Sequence, residues 1–199
     1  MMAMAQDTEK RFVSRAGLKL DHALSRIGID VTGLRCADFG CNVGGFTDCL
    51  LQHGAAHVIA VDTSYGTLDW SLRSDSRVTT KERSNAMHAT CPGEPVDLVT
   101  IDVGWTPLRQ VIPNALEWLT AQGGVLALVK PHYEANDVER TAMSGGVLPA
   151  EDAELVARRT LRDLSTLGVR VAAWTKSPIE GGSGNTEFIA HLVRRDSTG

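Results

Sequence analysis

Residues 37–50, ADFGCNVGGFTDCL, join a short apolar stretch to a helical one through a turn rich in glycine. Strand–turn–helix units of this kind bind nucleotides in α/β proteins. Two nucleotide motifs nevertheless fail here by one residue each. The P-loop spacing has Phe46 in place of the lysine that contacts phosphate, and the dinucleotide motif G-x-G-x-x-G would need glycine at Asn42. The turn therefore predicts a nucleotide-like ligand that brings no phosphate groups.

The remainder of the chain alternates apolar strands with helical segments. Strands are predicted at 34–39, 57–61, 77–81, 96–101, 125–129, 169–175 and 186–193. Helical segments separate the first six, which favours a parallel sheet with helices on both faces. Only KSPIEGGSGN, residues 176–185, separates the last two, so the last strand must return antiparallel. A seven-stranded, mostly parallel sheet with an antiparallel last strand is typical of Rossmann-like class I methyltransferases and predicts S-adenosylmethionine as the ligand.

The composition is that of one globular domain. With 199 residues, 43% apolar and 22% charged, the chain is long enough to bury a core. Its apolar runs are shorter than a bilayer requires, and its first residues do not resemble a signal peptide. The cysteines at 36, 41, 49 and 91 form no C-x-x-C pair, and the six histidines show no metal-ligand spacing. We therefore expect a cytoplasmic protein with reduced cysteines, no bound metal and no membrane association.

Charged residues stand at the strand ends, where an open α/β sheet binds its ligand. They are Asp38, Asp62, Asp102, Lys130 and Glu187. Because the last strand is antiparallel, its start lies at the same edge as the carboxyl ends of the other strands. Asp62 can accept hydrogen bonds from both ribose hydroxyls, and Lys130 would need a partner such as Asp102 if it is buried. The three aspartates could instead cap the turns or helices that follow them.

The turn and the end of the third strand supply further candidate contacts to the cofactor. Glycines let the backbone pass close to a ligand, and Asn85 is placed to contact the adenine edge. The candidate cofactor-binding residues are Asp38, Gly40, Cys41, Gly44, Gly45, Phe46, Asp62, Asn85 and Asp102.

Two features bear on the acceptor of the methyl group. Trp105 follows the fourth strand closely and is a candidate for the substrate cleft, whereas Trp70, Trp118 and Trp174 are interpreted as packing residues. Residues 10–26 carry five basic residues against one acidic residue, although the net charge of the chain is -4. A second basic group consists of Arg73, Arg77, Lys81 and Arg83. Both groups either hold RNA phosphates or are ordinary solvated charges.

From Phe12 to about Leu192 the sequence resembles a known enzyme family. The stretches that carry the resemblance are FVSRAGLKLDHAL, ADFGCNVGGFTDCLLQHGAAHVIAVD, DLVTID, ALVKPHYE and SPIEGGSGNTEF. They are similar to the catalytic domain of the TlyA/haemolysin-A-like ribosomal RNA 2′-O-methyltransferases, within the FtsJ-type group. Members use a Lys-Asp-Lys-Glu tetrad, and the residues that match it by motif are Lys19, Asp102, Lys130 and Glu187.

The resemblance implies methyl transfer from S-adenosylmethionine to a ribose 2′-hydroxyl of ribosomal RNA. It implies that Lys130 orients or deprotonates this hydroxyl and that Asp102 holds the lysine. Two alternatives remain at this stage. One is a methyltransferase that acts on a small molecule or a protein, and the other is a non-catalytic cofactor-binding or haemolysin-like protein.

The resemblance also sets the expected domain organisation. An FtsJ-type methyltransferase domain is predicted at 12–194, with an N-terminal extension at 1–11 and a tail at 195–199. The family usually has an S4-type RNA-binding domain before FVSR, where this chain has eleven residues. We therefore expect RNA recognition through other surfaces or with a helper RNA-binding protein. The chain also departs from the family at VGW, where VSF is usual, and at PHYE, where PQFE is usual.

Overall fold

A seven-stranded sheet forms the centre of the computed structural model, which describes residues 11–195. The strands are β1 Arg35–Phe39, β2 His57–Val61, β3 Val78–Lys81, β4 Val96–Ile101, β5 Leu119–Val129, β6 Val169–Lys176 and β7 Phe188–Arg194. Their order in the sheet is β3-β2-β1-β4-β5-β7-β6. Apart from Arg11 and Arg195, the N-terminal extension and the tail predicted above lie outside the described residues.

Helices connect the strands and cover the sheet. They are α1 Ala16–Ile27, α2 Gly45–Gln52, α3 Trp70–Arg73, α4 Leu108–Trp118, α5 Pro131–Glu134, α6 Asp137–Arg140 and α7 Ala150–Leu164, followed by a 3₁₀ turn at Ser165–Leu167. Helix α1 ends where Gly28 adopts a left-handed conformation, with φ of 78°, as is common after the last helical residue. None of the helices within residues 11–195 is both long enough and apolar enough to cross a bilayer.

The antiparallel last strand is confirmed. Strand β7 pairs antiparallel with both β5 and β6, and the other neighbouring strands pair in parallel. The reason is the one the sequence indicates, because the loop after Lys176 is too short to cross the sheet. Strand β5 begins earlier than predicted, at Leu119 rather than at 125, since Leu119 pairs with Val96 before an irregularity in the register.

Side chains of each strand alternate between two apolar layers. In β1, Cys36 packs in the layer beneath α1 and α2, whereas Ala37 and Phe39 pack in the layer beneath α4 and α7. The same alternation turns Asp38 towards α2, which determines its surroundings in the site described below. Cys36 and Cys49 are buried core residues with free thiols.

The structure confirms the predicted packing role of Trp118 but contradicts that of Trp70. Trp118 is fully buried and meets Phe39 edge to face, with ring centroids 4.9 Å apart, which confirms its packing role. Trp70 is 76% exposed, so its interpretation as a packing residue was wrong. It is the first residue of the short helix α3, after the capping Asp69, and its ring points to solvent.

Candidate active site

The carboxyl ends of the parallel strands open into a cavity of about 610 Å³. Nearly all of the predicted site residues line it: Lys19, Asp38, Gly40, Cys41, Gly45, Phe46, Asp62, Asn85, Asp102, Lys130 and Glu187. Gly44 is the exception. It is buried behind the turn, where a Cβ atom would overlap the side chains of Leu68 and Leu72, so its contribution is to shape the turn from behind.

The glycine turn brings two strand ends into close contact. Gly40 has a φ of +84°, and a Cβ atom on it would lie 2.5 Å from the carbonyl oxygen of Asp102. Both the backbone conformation and the space therefore require glycine. Asn42 adopts a left-handed conformation with φ of 47°, which asparagine tolerates better than most residues. The backbone of this turn consequently forms one wall of the cavity.

Asp38 is turned into the protein. It has no exposed surface, and its Oδ2 accepts hydrogen bonds from the backbone N–H and the hydroxyl of Thr47, at 3.0 and 2.8 Å. Its Oδ1 accepts from the hydroxyl of Thr100 at 3.0 Å. Burial raises the pKa of Asp38 to about 7, against these hydrogen bonds, which lower it. This position favours a supporting role, in which Asp38 fixes the start of α2, over direct contact with a ligand.

Asp62 directly follows β2 and lines the cavity. Its Oδ2 accepts from the backbone N–H of Asn42 at 2.8 Å, and its Oδ1 accepts from the N–H and the hydroxyl of Ser64 at 2.8 and 2.6 Å. A carboxylate has about four acceptor positions, so one position on Oδ2 remains for a ligand. Asn85 is exposed and caps its own turn by accepting from the N–H of Met87 at 2.9 Å.

Lys19 and Glu187 form a buried ion pair. The distance from Lys19 Nζ to Glu187 Oε2 is 2.5 Å, and the two side chains are 8% and 4% exposed. Lys19 belongs to α1 near the start of the chain, and Glu187 immediately precedes β7. The pair depends on a close approach of the loop before β7, because a Cβ atom on Gly181 would lie 3.0 Å from the carboxyl carbon of Glu187.

Asp102 and Lys130 form a second pair that is more open to the cavity. Lys130 Nζ lies 2.5 Å from Asp102 Oδ1, with the side chains 15% and 19% exposed, and it donates to the carbonyl oxygen of Val103 at 2.9 Å. The four residues of the predicted tetrad thus line one cavity as two lysine–carboxylate pairs. The prediction from the strand ends that Asp102 would be the partner of Lys130 agrees with this geometry.

An aromatic pair stands beside Lys130 at the rim. Trp105 is 85% exposed and has a φ of 62°, a conformation that costs energy for a bulky residue. Its ring lies 5.0 Å from that of Tyr133, and Lys130 Nζ lies 6.0 Å from the centroid of the Tyr133 ring. An exposed tryptophan held in a strained conformation beside a cavity is more typical of a binding surface than of packing.

Several cavity residues were not singled out from the sequence. They are Ser64, His132, Tyr133 and the loop residues Gly181, Gly182, Ser183 and Asn185. The signal for His132 and Tyr133 was their position directly after Lys130 and Pro131, in the motif that departs from the family pattern. The loop residues precede Glu187, so their place at the cavity follows once that glutamate is located.

Four of the eight described members of the two basic groups form ion pairs. Arg11 pairs with Asp21 and Arg77 with Asp75, at 2.9 and 2.7 Å. Arg73 pairs with Glu82 and Lys19 with Glu187, and Lys10 lies outside the described residues. Arg15 makes no ion pair with a described residue, and its guanidinium lies near Gly182 at the rim. Arg83 stacks on the exposed ring of Tyr65, with its guanidinium carbon 4.4 Å from the ring centroid.

Comparison with known proteins places this site in context. The model of the FtsJ-like methyltransferase family matches residues 12–194. The 16S/23S rRNA (cytidine-2′-O)-methyltransferase TlyA of Mycobacterium tuberculosis is 39% identical over 96% of this chain and 72% of its own length. A solved structure of a Streptococcus thermophilus protein, provisionally named a hemolysin, superposes with a TM-score of 0.85 at 37% identity, over 94% of this chain and 68% of that one.

A more distant structure supports the fold alone. The N-methyltransferase NodS of Bradyrhizobium japonicum has a TM-score of 0.59 at 15% identity, over 89% of this chain and 95% of its own. The Rossmann-like methyltransferase fold predicted from the strand pattern is therefore confirmed.

Proposed function

Because the chain belongs to the FtsJ-like methyltransferase family, we propose that it transfers a methyl group from S-adenosylmethionine to a ribose 2′-hydroxyl of ribosomal RNA. The observation that carries the proposal is the pairing of Lys19 with Glu187 and of Lys130 with Asp102 at one cavity, each at 2.5 Å. The name of the Mycobacterium tuberculosis relative specifies cytidine, which makes cytidine the first acceptor nucleotide to test.

The wall of the cavity that the glycine turn forms fits the nucleoside of S-adenosylmethionine. The turn around Gly40 presents backbone instead of side chains, and Asp62 has one acceptor position left for a ribose hydroxyl. The side-chain oxygen of Asn85 already accepts a hydrogen bond from the N–H of Met87. Its amide N–H groups are therefore the part that could contact an adenine edge. When bound, the cofactor supplies a methyl group activated by its sulfonium. The lysines that line the cavity among residues 11–195, Lys19 and Lys130, each lie 2.5 Å from a carboxylate, as suits a ligand without phosphates.

Lys130 is proposed to position the acceptor hydroxyl. An ammonium group has three N–H donors. Lys130 donates one of them to the carbonyl of Val103, and its charge is paired with Asp102. A further N–H can donate to the hydroxyl oxygen and hold it in line for attack. An ammonium group has no lone pair, so the hydroxyl proton passes to another group or to solvent.

The rim residues are proposed to hold the RNA. Trp105 and Tyr133 offer an aromatic surface for the base of the acceptor nucleotide, since bases stack on such side chains. Arg15 and Arg83 are cations at the rim that could contact phosphates. With so few phosphate contacts, affinity for free RNA should be weak and should fall with salt by roughly 0.7 log units per log unit of salt for each contact on a single strand. A helper RNA-binding protein, or an assembled ribosomal subunit as substrate, would supply the remaining affinity.

The test is a labelling experiment with purified protein. It is incubated with methyl-labelled S-adenosylmethionine and, in separate reactions, with ribosomal subunits, free ribosomal RNA and a protein extract freed of RNA. We expect label in RNA, at a single nucleotide whose 3′ phosphodiester has become resistant to alkali, because 2′-O-methylation blocks that cleavage. The Lys130→Met variant should leave the RNA unlabelled while it still binds the cofactor.

Other outcomes would redirect the proposal. Label on a base would contradict the ribose assignment while keeping RNA as the substrate. Label only in the protein extract, with none in either RNA reaction, would favour the protein acceptor. Absence of transfer to any of them, despite cofactor binding, would favour the non-catalytic alternative.

A further inference from the structure

His132 is a cavity residue that the mechanism above does not use. It is the second residue of α5, directly after the buried Pro131, and its ring centroid lies 4.0 Å from that of Tyr133. The start of this short helix and the neighbouring ring hold the imidazole beside Lys130.

The two ring nitrogens of His132 have different surroundings. Nδ1 is buried and has no hydrogen-bond partner among the described residues. Nε2 also makes no hydrogen bond to a described residue, but it is not buried, and His132 lines the cavity. The ring therefore faces the cavity with Nε2, while Nδ1 lies against the protein.

This arrangement determines which nitrogen carries the proton. A buried N–H without an acceptor is destabilising, and protein structures rarely contain one. The imidazolium form and the Nδ1–H tautomer would both place such a group on Nδ1. The Nε2–H tautomer leaves only a lone pair there and directs its one N–H into the cavity. Burial, together with the charges of Lys130 and Lys19, lowers the pKa of His132 to about 4, so the ring is neutral at pH 7.

We propose that His132 donates a hydrogen bond from Nε2 to an oxygen of the acceptor nucleotide and so positions its sugar–phosphate backbone beside Lys130. This inference rests on the proposed function. The aromatic rings of Trp105 and Tyr133 suit the base, whereas the N–H groups of His132 and Lys130 suit oxygen atoms. A glutamine at this position would also present an N–H donor, so it could make the same contact.

The kinetic test compares two substitutions at His132. His132→Leu removes the donor, and His132→Gln restores an N–H. We expect His132→Leu to raise the KM for the RNA acceptor about tenfold, the loss typical of one hydrogen bond, with a much smaller effect on kcat. His132→Gln should recover most of this loss. The cofactor Kd, measured by calorimetry, should be the same in all variants. His57→Gln is the matched control, because His57 lies on β2 and does not line the cavity.

Nuclear magnetic resonance of the ring nitrogens gives a readout that does not depend on activity. We expect the Nε2–H tautomer at neutral pH, with no protonation down to about pH 5, where an ordinary histidine is already charged. A proton on Nδ1, or titration near the usual 6.5, would overturn the inference.

The kinetic outcomes separate the inference from the function on which it rests. An unchanged acceptor KM in His132→Leu, a change confined to the cofactor Kd, or no recovery in His132→Gln would each overturn the role of His132 while methyl transfer remained. A wild-type protein that binds the cofactor but methylates no RNA would instead overturn the proposed function.

Discussion

The two ends of the cavity are built in different ways. At the glycine end, a continuous segment from Asp38 to Gly45 forms the wall with its backbone, and the same residues join β1 to α2. At the charged end, four side chains come from separate elements, and Lys19 lies 168 positions from its partner Glu187. A substitution at the glycine end therefore changes the fold and the site together. At the charged end, individual side chains can be changed while the sheet remains.

The carboxyl groups at the two ends also have different partners. Glu187 and Asp102 each have a lysine at 2.5 Å. Asp38 is fully buried, and its partners within residues 11–195 are hydroxyl and backbone N–H donors without a cation. Burial without a cation favours the protonated acid, which is why the pKa of Asp38 is raised.

The largest effect on stability should come from breaking the buried pair at the charged end. Lys19→Met leaves the carboxylate of Glu187 buried and unpaired, and we expect the free energy of unfolding to fall by about 3–5 kcal/mol. Urea denaturation measures it. The double variant Lys19→Met, Glu187→Met should recover much of the loss, since it removes both charges. If Lys19→Met alone cost less than about 1 kcal/mol, the pair would behave like an exposed one.

A pH titration of stability should identify the buried carboxyl at the glycine end. The pKa of Asp38 rises from 3.8 in the unfolded chain to about 7 in the folded protein. Between these values the native state holds a proton that the unfolded state has lost, so this group's contribution to stability falls as pH rises and is constant above about pH 7. Each tenfold difference in proton affinity between the two states is worth about 1.4 kcal/mol, so the fall amounts to at most about 4 kcal/mol.

The Asp38→Asn variant isolates this contribution. Its free energy of unfolding, subtracted from that of the wild type at each pH, should give a difference that declines from about pH 4 to about pH 7. Other titrating groups cancel in the subtraction. Parallel curves would show that Asp38 is as ionised in the folded protein as in the unfolded chain.

The more open pair should matter for activity more than for stability. Lys130→Met should lower kcat at least about a hundredfold, or some 2.7 kcal/mol, because it removes a donor aimed at the reacting oxygen. Calorimetry should give a nearly unchanged cofactor Kd. Lys176→Met, at an exposed position at the end of β6, is the matched control. If the variant kept more than about a tenth of wild-type turnover, Lys130 would lower the activation free energy by less than about 1.4 kcal/mol, which would refute a direct role.

The same contrast explains what could be predicted from the sequence. The seven strands, the antiparallel return and the glycine turn are local patterns, and all are present in the structure. The strand-end charges followed from the topology. Lys19 did not, because a lysine on an amphipathic helix looks like any solvated lysine until its distant partner is known, and only the family resemblance indicated it.

Other features of the site depend on packing that local patterns do not encode. Asp38 is the fourth residue of β1 and Asp62 directly follows β2. Only Asp38 is turned inward, where it accepts hydrogen bonds from the hydroxyls of Thr47 and Thr100. His132 had no periodicity or spacing to mark it, because its significance lies in one nitrogen without a partner among the described residues. Trp70 was misassigned because a tryptophan in a four-residue helix has little surface to pack against.

The glycine end can be tested with two matched substitutions. Gly40→Ala and Gly93→Ala both place a side chain at positive φ, which costs about 1–2 kcal/mol. At Gly93 the nearest atom is 3.8 Å away, whereas at Gly40 a backbone oxygen lies at 2.5 Å. We therefore expect Gly40→Ala to lose about 2 kcal/mol more stability than Gly93→Ala and to weaken cofactor binding as well. Equal losses would mean that the close approach of the two strand ends carries little energy.

The smallest effect should come from Asp62, the side chain that the glycine end contributes directly to the ligand. With one acceptor position left after Asn42 and Ser64, it can make one charge-assisted hydrogen bond to a ribose hydroxyl. Its loss in Asp62→Ala should weaken S-adenosylmethionine binding by about 1.5–2 kcal/mol, or roughly tenfold to thirtyfold. Calorimetry with S-adenosylhomocysteine should show the same loss, since the nucleoside is common to both. Ser64→Ala separates the two roles of the carboxylate, because it removes a hydrogen bond of the turn but leaves Asp62 free to bind ribose. If Ser64→Ala weakened binding as much as Asp62→Ala, the carboxylate would act only by shaping the turn, and both ends of the cavity would then rely on backbone and lysine pairs alone.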